Sequence, residues 1–278
     1  MGPCDSGSMD WIRKVGKTVD NSKSHYNHKV DKSQIPTCNI MGVNVAAIDM
    51  SWLLEFTQNN LSALSGDYMC VANVHTTVTA YDDKEYCEIQ NGGVMAIPDG
   101  GPLSSVGRKR GYAQMQRTTG PNYMEEVIKI GISKGYRHFF YGSTEETLAR
   151  MEQKLIEQYP DIQIAGMYSP PFRMLTEEED LQIVEMINQS NADFVWVALG
   201  APKQEKWMAQ HQGRIKGFMV GVGAAFDYFA GNISRAPQWM QRCNLEWLYR
   251  LLQDPKRLFK RYLYTNTKFI LDVVVRRK

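Results

Sequence analysis

Two stretches decide the fold: Phe194-Val-Trp-Val-Ala-Leu-Gly200-Ala-Pro-Lys-Gln-Glu205 and Phe218-Met-Val-Gly-Val-Gly223-Ala-Ala-Phe-Asp227-Tyr-Phe-Ala-Gly231. In each, a continuous apolar run ends in a glycine-bearing turn that carries polar groups. A strand with no polar alternation is buried on both faces, as in a parallel sheet covered by helices. Working outward, further candidate strands are Asn39–Ile48, Tyr68–Val74, Val94–Pro98, His138–Tyr141 and Gln163–Met167, several of them continuous apolar runs. Helical patterns alternate with them. Ser143 and Glu146 have capping-box spacing ahead of the stripe Leu148, Met151, Leu155 and Ile156. Thr176 and Glu179 repeat it ahead of Leu181, Val184 and Ile187. The alternation predicts an α/β, Rossmann-like, doubly wound and mostly parallel sheet.

A chain of 278 residues can bury a full core, and 43% hydrophobic with 22% charged residues is ordinary for a globular protein. The net charge of +2 conceals a split: residues 235–278 carry 11 Lys/Arg against 3 Asp/Glu, the remainder 21 against 27. A basic tail predicts an anionic partner. The same tail holds Trp239, Trp247, Tyr249, Phe259, Tyr262, Tyr264 and Phe269, and aromatic with cationic groups suits an anionic membrane surface. The expected organisation is a polar extension over 1–37, a core over 38–234 and a basic, helical, membrane-facing appendage over 235–278.

Composition also excludes classes. No apolar run is long enough to span a bilayer. The remainder of the chain is acidic and lacks a nucleic-acid motif, so no nucleic acid is expected. Five scattered cysteines without C-x-x-C fit neither a disulfide framework nor a zinc site. His25 and His28 have helical spacing but no third ligand nearby, and read as solvent-exposed. Residues 1–9 show no apolar signal core, and Gly7-Ser8-Met9 reads as a cloning remnant.

In open parallel sheets, ligands bind outside the carboxyl ends of the strands. Four junctions there carry polar groups. At Asn73-Val-His-Thr76, the asparagine either binds a ligand or caps the next helix. At Pro98-Asp99-Gly-Gly-Pro102, the carboxylate either takes a proton from a sugar hydroxyl or serves as a turn residue. Its glycines can alternatively admit a phosphate to a helix N-terminus. At Gly200–Glu205, Pro202 suits a first helical turn, where Lys203 and Gln204 face a ligand or solvent. Gly221-Val-Gly223 is a shortened dinucleotide fingerprint with Phe226 in place of its third glycine, and Asp227 follows as a ribose or uracil ligand or a cap. Arg108, Lys109, Arg110 and Arg117 are placed to stabilise a departing diphosphate without a metal. Asp82-Asp83 lacks D-x-D spacing and reads as an exposed turn.

Taken with Arg235-Ala-Pro237 and Leu245-Glu-Trp-Leu-Tyr-Arg250, these blocks resemble, in order, the WecG/TagA/CpsF family of bacterial glycosyltransferases, over roughly Asn39 to Arg261. The resemblance implies inverting, metal-independent transfer, without a cofactor, from a UDP-sugar to a polyprenyl-diphosphate-linked sugar. That places the chain in cell-surface polysaccharide or teichoic acid synthesis, peripheral on the cytoplasmic face of the bacterial membrane. Asp99 matches the family's proposed base. Asn73, Arg117, Gly120, Gln204, Glu205, Gly223 and Asp227 are implied on the donor side. Arg235, Arg242 and Arg250 are implied at the diphosphates of donor or acceptor. No metal ligand is implied, and a homo-oligomer is left open. Departures at Val71, Gly101-Pro102 and Asn122 bear on the sugar pocket.

Two other readings compete. An NAD-dependent oxidoreductase is suggested by Gly221-Val-Gly223, but the fingerprint after the first strand and its ribose acid are missing. A non-catalytic nucleotide-binding membrane scaffold is compatible with the basic tail.

Overall fold

The computed structural model describes residues 30–275, without the side chains of Arg242 and Val274. His25, His28 and residues 1–29 of the polar extension lie outside the described residues. The strands are β1 (Thr37–Ile40), β2 (Val43–Ala46), β3 (Tyr68–Ala72), β4 (Met95–Pro98), β5 (Arg137–Gly142), β6 (Gln163–Tyr168), β7 (Phe194–Ala198) and β8 (Phe218–Gly221). They form one eight-stranded sheet in the order β1-β2-β4-β3-β8-β7-β5-β6. Only β1 is antiparallel to its neighbour.

The expected strand Asn39–Ile48 is therefore a hairpin. Met41 and Gly42 have φ of 53° and 91°. Two successive positive φ values make the tight turn whose twist matches flanking strands.

Strand residues alternate between two apolar cores. In β3, Tyr68, Cys70 and Ala72 face one core, while Met69 and Val71 face the other. The first core is covered by α2 (Val74–Asp82), α3 (Lys84–Gly92), α4 (Gly101–Lys109), α7 (Glu177–Gln189) and α8 (Lys203–Gln210). The second is covered by α1 (Met50–Asn60), α5 (Gly120–Lys134), α6 (Glu145–Gln158) and α9 (Ala225–Ala230).

The capping box at Thr176 has both arms, with Glu179 further held by Arg173 at 2.6 and 2.7 Å. The one expected at Ser143 does not form. Ser143 lies in the turn, with φ of 61°, and Thr144 caps α6 instead. Ile156 and Leu181, expected in apolar stripes, are exposed, and Ile183 is buried.

Residues 235–275 fold as α10 (Gln238–Arg242), α11 (Glu246–Gln253) and α12 (Pro255–Phe269), the last running into a π-helical turn over Ile270–Val275. Helix α12 packs on α2. Asp82 anchors it: Oδ2 accepts from the Tyr264 hydroxyl at 2.7 Å, and Oδ1 pairs with Lys268 Nζ. Leu258, Thr265 and Phe269 form the buried face. Phe269, expected among the surface aromatics, is thus core. Phe259, Leu263 and Ile270 face outward beside Lys256 and Lys260.

The topology fixes where a ligand enters. β3 and β8 are neighbours, yet the helices that follow them, α2 and α9, lie on opposite faces. A crevice opens at their carboxyl ends, at the switch point of the sheet.

Candidate active site

A cleft of about 1400 Å³ occupies that crevice. Its floor comes from the ends of β3, β4, β7 and β8, with Asn73, Asp99, Gln204 and Asp227. Its roof comes from α11 and α12, with Glu246, Trp247, Arg250, Arg261 and Tyr262.

Asp99 follows β4, where its N–H is held by the Ala72 carbonyl at 2.8 Å. It is half-buried beneath the appendage. Burial pushes its carboxyl up to about 6; Glu246 adds to the rise, while Arg117, Arg250 and a hydrogen bond from Asn73 oppose it. Asn73 caps α2 by accepting the Thr76 N–H at 3.1 Å, which leaves its amide nitrogen for Asp99. The capping reading of Asn73 is therefore realised, and the same side chain also supports Asp99 on the cleft floor.

Gly101 is occupied from above. A Cβ there would overlap the Asn244 amide, so this glycine admits the appendage to the start of α4. That contact fills the place where a phosphate was considered.

Arg117 Nε donates to the Asp99 carbonyl at 3.0 Å, and its guanidinium pairs with Glu246. Glu246 also accepts from the Tyr228 hydroxyl at 3.4 Å. Arg235 and Arg250 lie over the Tyr228 ring, 5.5 and 5.9 Å from its centroid. Arg235 is further held by Asn122 and by Glu125 at 3.9 Å. The Arg242 side chain is outside the described residues, although its backbone ends α10.

The remaining donor-side residues divide. Asp227 lines the cleft and accepts from Asn232 at 3.2 Å. Gly223, in the left-handed region with φ of 56°, gives its N–H to Gln204 Oε1 at 3.2 Å. Glu205 is buried and accepts from Gln204 Nε2 at 2.8 Å. Gly120 is not among the cleft-lining residues; it packs against Val71 and the Val222 backbone. Lys203 is exposed and away from the cleft, and Arg108 is tied to Met115 and Ser105. Lys109 and Arg110 do line it.

Sequence reasoning missed Tyr228, Glu246, His75 and Arg261. Burial and the nearby Arg261 charge lower the His75 imidazole to about 4. Glu246 and Tyr228 stood inside quoted blocks, but a single sequence does not show that a carboxylate on α11 meets an arginine after α4.

An α/β cleft with a desolvated carboxylate on its floor and arginines in its roof has the parts of an enzyme that moves groups carried on diphosphate. The family model for the glycosyl transferase WecG/TagA/CpsF family matches residues 38–278, and the chain belongs to that family. It is a glycosyltransferase by that membership. Among curated relatives, a Bacillus subtilis (strain 168) protein is 32% identical over 77% of this chain and 81% of its own length. A Staphylococcus aureus (strain MW2) protein is 26% identical over 82% and 89%, and a Bacillus spizizenii protein 30% over 74% and 79%. All three are named N-acetylglucosaminyldiphosphoundecaprenol N-acetyl-β-D-mannosaminyltransferase. The oxidoreductase reading is not favoured: the Gly223 N–H it would offer a dinucleotide already serves Gln204.

Proposed function

We propose that the chain transfers a sugar from a UDP-sugar to the sugar of a polyprenyl-diphosphate acceptor, with inversion and with Asp99 as base. The carrying observation is the Asp99 carboxyl, desolvated to about 6 in a cleft roofed by arginines. Such a group is ionised at neutral pH yet basic enough to accept a proton. The acceptor hydroxyl gives its proton to Asp99 and its oxygen bonds to the anomeric carbon. The bond from that carbon to the β-phosphate oxygen breaks on the opposite face, and its electron pair leaves with UDP.

Arg250, Arg257 and Arg261 bound the same cleft and supply positive charge for the departing diphosphate. The relatives' names support N-acetylhexosamines as donor and acceptor sugars in a cell-surface polymer. The outward face of α12 and the turn after it, apolar at Phe259, Leu263 and Ile270 and basic at Lys256 and Lys260, supports docking on an anionic membrane. No helix among the described residues is long and apolar enough to cross one. The inner face of the cell membrane is the location proposed with this reading.

The test is a screen of UDP-sugars against short-chain polyprenyl-diphosphate sugars, read by UDP release. Release that depends on one donor–acceptor pair supports the reading. UDP binding without release from any pair would favour the scaffold instead.

A further inference from the structure

Glu205 is fully buried, and Gln204 in front of it nearly so. Taking a carboxylate out of water costs several kcal/mol in round terms, and burial pushes this one up. Folding alone would be served by an apolar residue here. The hydrogen bonds show what the carboxylate arranges. A primary amide has one oxygen and two N–H donors. The Gln204 oxygen takes the Gly223 N–H at 3.2 Å, and one Nε2–H goes to Glu205 Oε1 at 2.8 Å. Flipping the amide would set donor against donor at Gly223 and acceptor against acceptor at Glu205. The orientation is therefore fixed, and one Nε2–H remains uncommitted.

The support extends behind Glu205. On α3, the buried Tyr86 hydroxyl accepts from Gln90 Nε2 at 2.8 Å, which leaves its own hydrogen for Glu205. Glu205 Oε2 has no donor at full hydrogen-bond geometry, so the Tyr86 contact is loose and Gln204 is the stronger partner. In front, Gly221 makes room for Gln204: a Cβ there would lie 3.0 Å from Nε2 and 2.8 Å from Met208 Cε.

We propose that Glu205 is a positioning residue and not a ligand of the donor: backed by Tyr86, it locks the Gln204 amide so that its free Nε2–H meets an accepting oxygen of the nucleotide-sugar. The idea rests on the glycosyl-transfer reading for its ligand. UDP binding by the full chain, measured by calorimetry without an acceptor, tests the two separately. Glu205→Gln removes the acceptor-only partner, leaves the Gly223 N–H alone to orient the amide, and should weaken UDP binding about tenfold, the usual scale of one lost charge-assisted hydrogen bond. Tyr86→Phe should weaken it severalfold.

Gln204→Ala should weaken binding at least as much as Glu205→Gln, and the double variant no further, because coupled residues are not additive. A merely structural role would lower the melting temperature and leave UDP affinity alone in the folded protein. Unchanged affinity in Glu205→Gln, or additive losses in the double variant, would overturn the proposal. Tyr86→Phe decides it if Glu205→Gln does not fold: unchanged affinity there also overturns it. Absence of UDP binding in the unsubstituted chain would instead remove the donor reading, and this proposal with it.

Discussion

Arg117 and Glu246 form an ion pair across the cleft, between the loop that follows α4 and the first turn of α11. The same arginine holds the Asp99 carbonyl at 3.0 Å. The turn bearing Asp99, the proposed base, and the appendage roofing it are thus joined through one guanidinium. The roof contributes to the base's environment as well as to its cover.

That relationship gives a pH prediction. As the proposed base Asp99 must be ionised, and its carboxyl is pushed up to about 6. Transfer efficiency should therefore fall as pH drops below about 6 and level off above it. The Glu246 charge raises the Asp99 carboxyl and Arg117 lowers it. Glu246→Gln removes the raising charge and leaves Arg117 unneutralised, so the acid limb should move to lower pH. An acid limb that stays put or moves upward in this variant would contradict the assignment.

Gly101→Ala tests the seating of the appendage. The new Cβ overlaps the Asn244 amide, and Asn244 is itself fixed in the left-handed region at φ of 59°. The roof must shift, and misplacement of about 1 Å can cost about 10² in rate. UDP binding should persist while transfer falls on that scale. Transfer at the unsubstituted rate would show that this contact does not position the roof.

Transfer should persist in excess EDTA. Asp82 is engaged by Tyr264 and Lys268, and Asp83 caps α3 through the Tyr86 N–H at 3.1 Å, so this acidic pair already has structural roles. In the proposed mechanism Arg250, Arg257 and Arg261, which line the cleft, supply the electrostatic stabilisation instead. Loss of turnover in EDTA with recovery on adding Mn²⁺ or Mg²⁺ would reverse this expectation.

Vesicle binding should depend on the outward face of α12. Full burial of one large apolar side chain is worth about 1.5–3 kcal/mol. Replacing Phe259 and Leu263 with Ser should weaken binding to anionic vesicles at least about tenfold and leave UDP affinity unchanged. Equal vesicle binding by the double variant would remove this face from the docking surface.

The parallel sheet was legible because β3, β4, β7 and β8 are unbroken apolar runs. The hairpin at Met41-Gly42 was not, because the apolar pattern continues through the turn. Asp99, Asn73, Gln204 and Asp227 could be found because a parallel sheet gathers the residues after its strands at one edge. The roles proposed for them, a base, its supports and a locked amide, depend on distances between segments far apart in sequence. Arg117 and Glu246 are 129 positions apart, and no local pattern pairs them. Burial of Phe269 was equally hidden, since α12 has apolar residues on both faces.

The most direct measurement is turnover of Asp99→Asn beside its UDP affinity. Asparagine keeps the shape and removes the basicity. Loss of a positioned base costs about 10²–10⁴, so turnover should fall on that scale while UDP binds as in the unsubstituted chain. Near-normal turnover with intact UDP binding would contradict the claim that Asp99 takes the acceptor's proton.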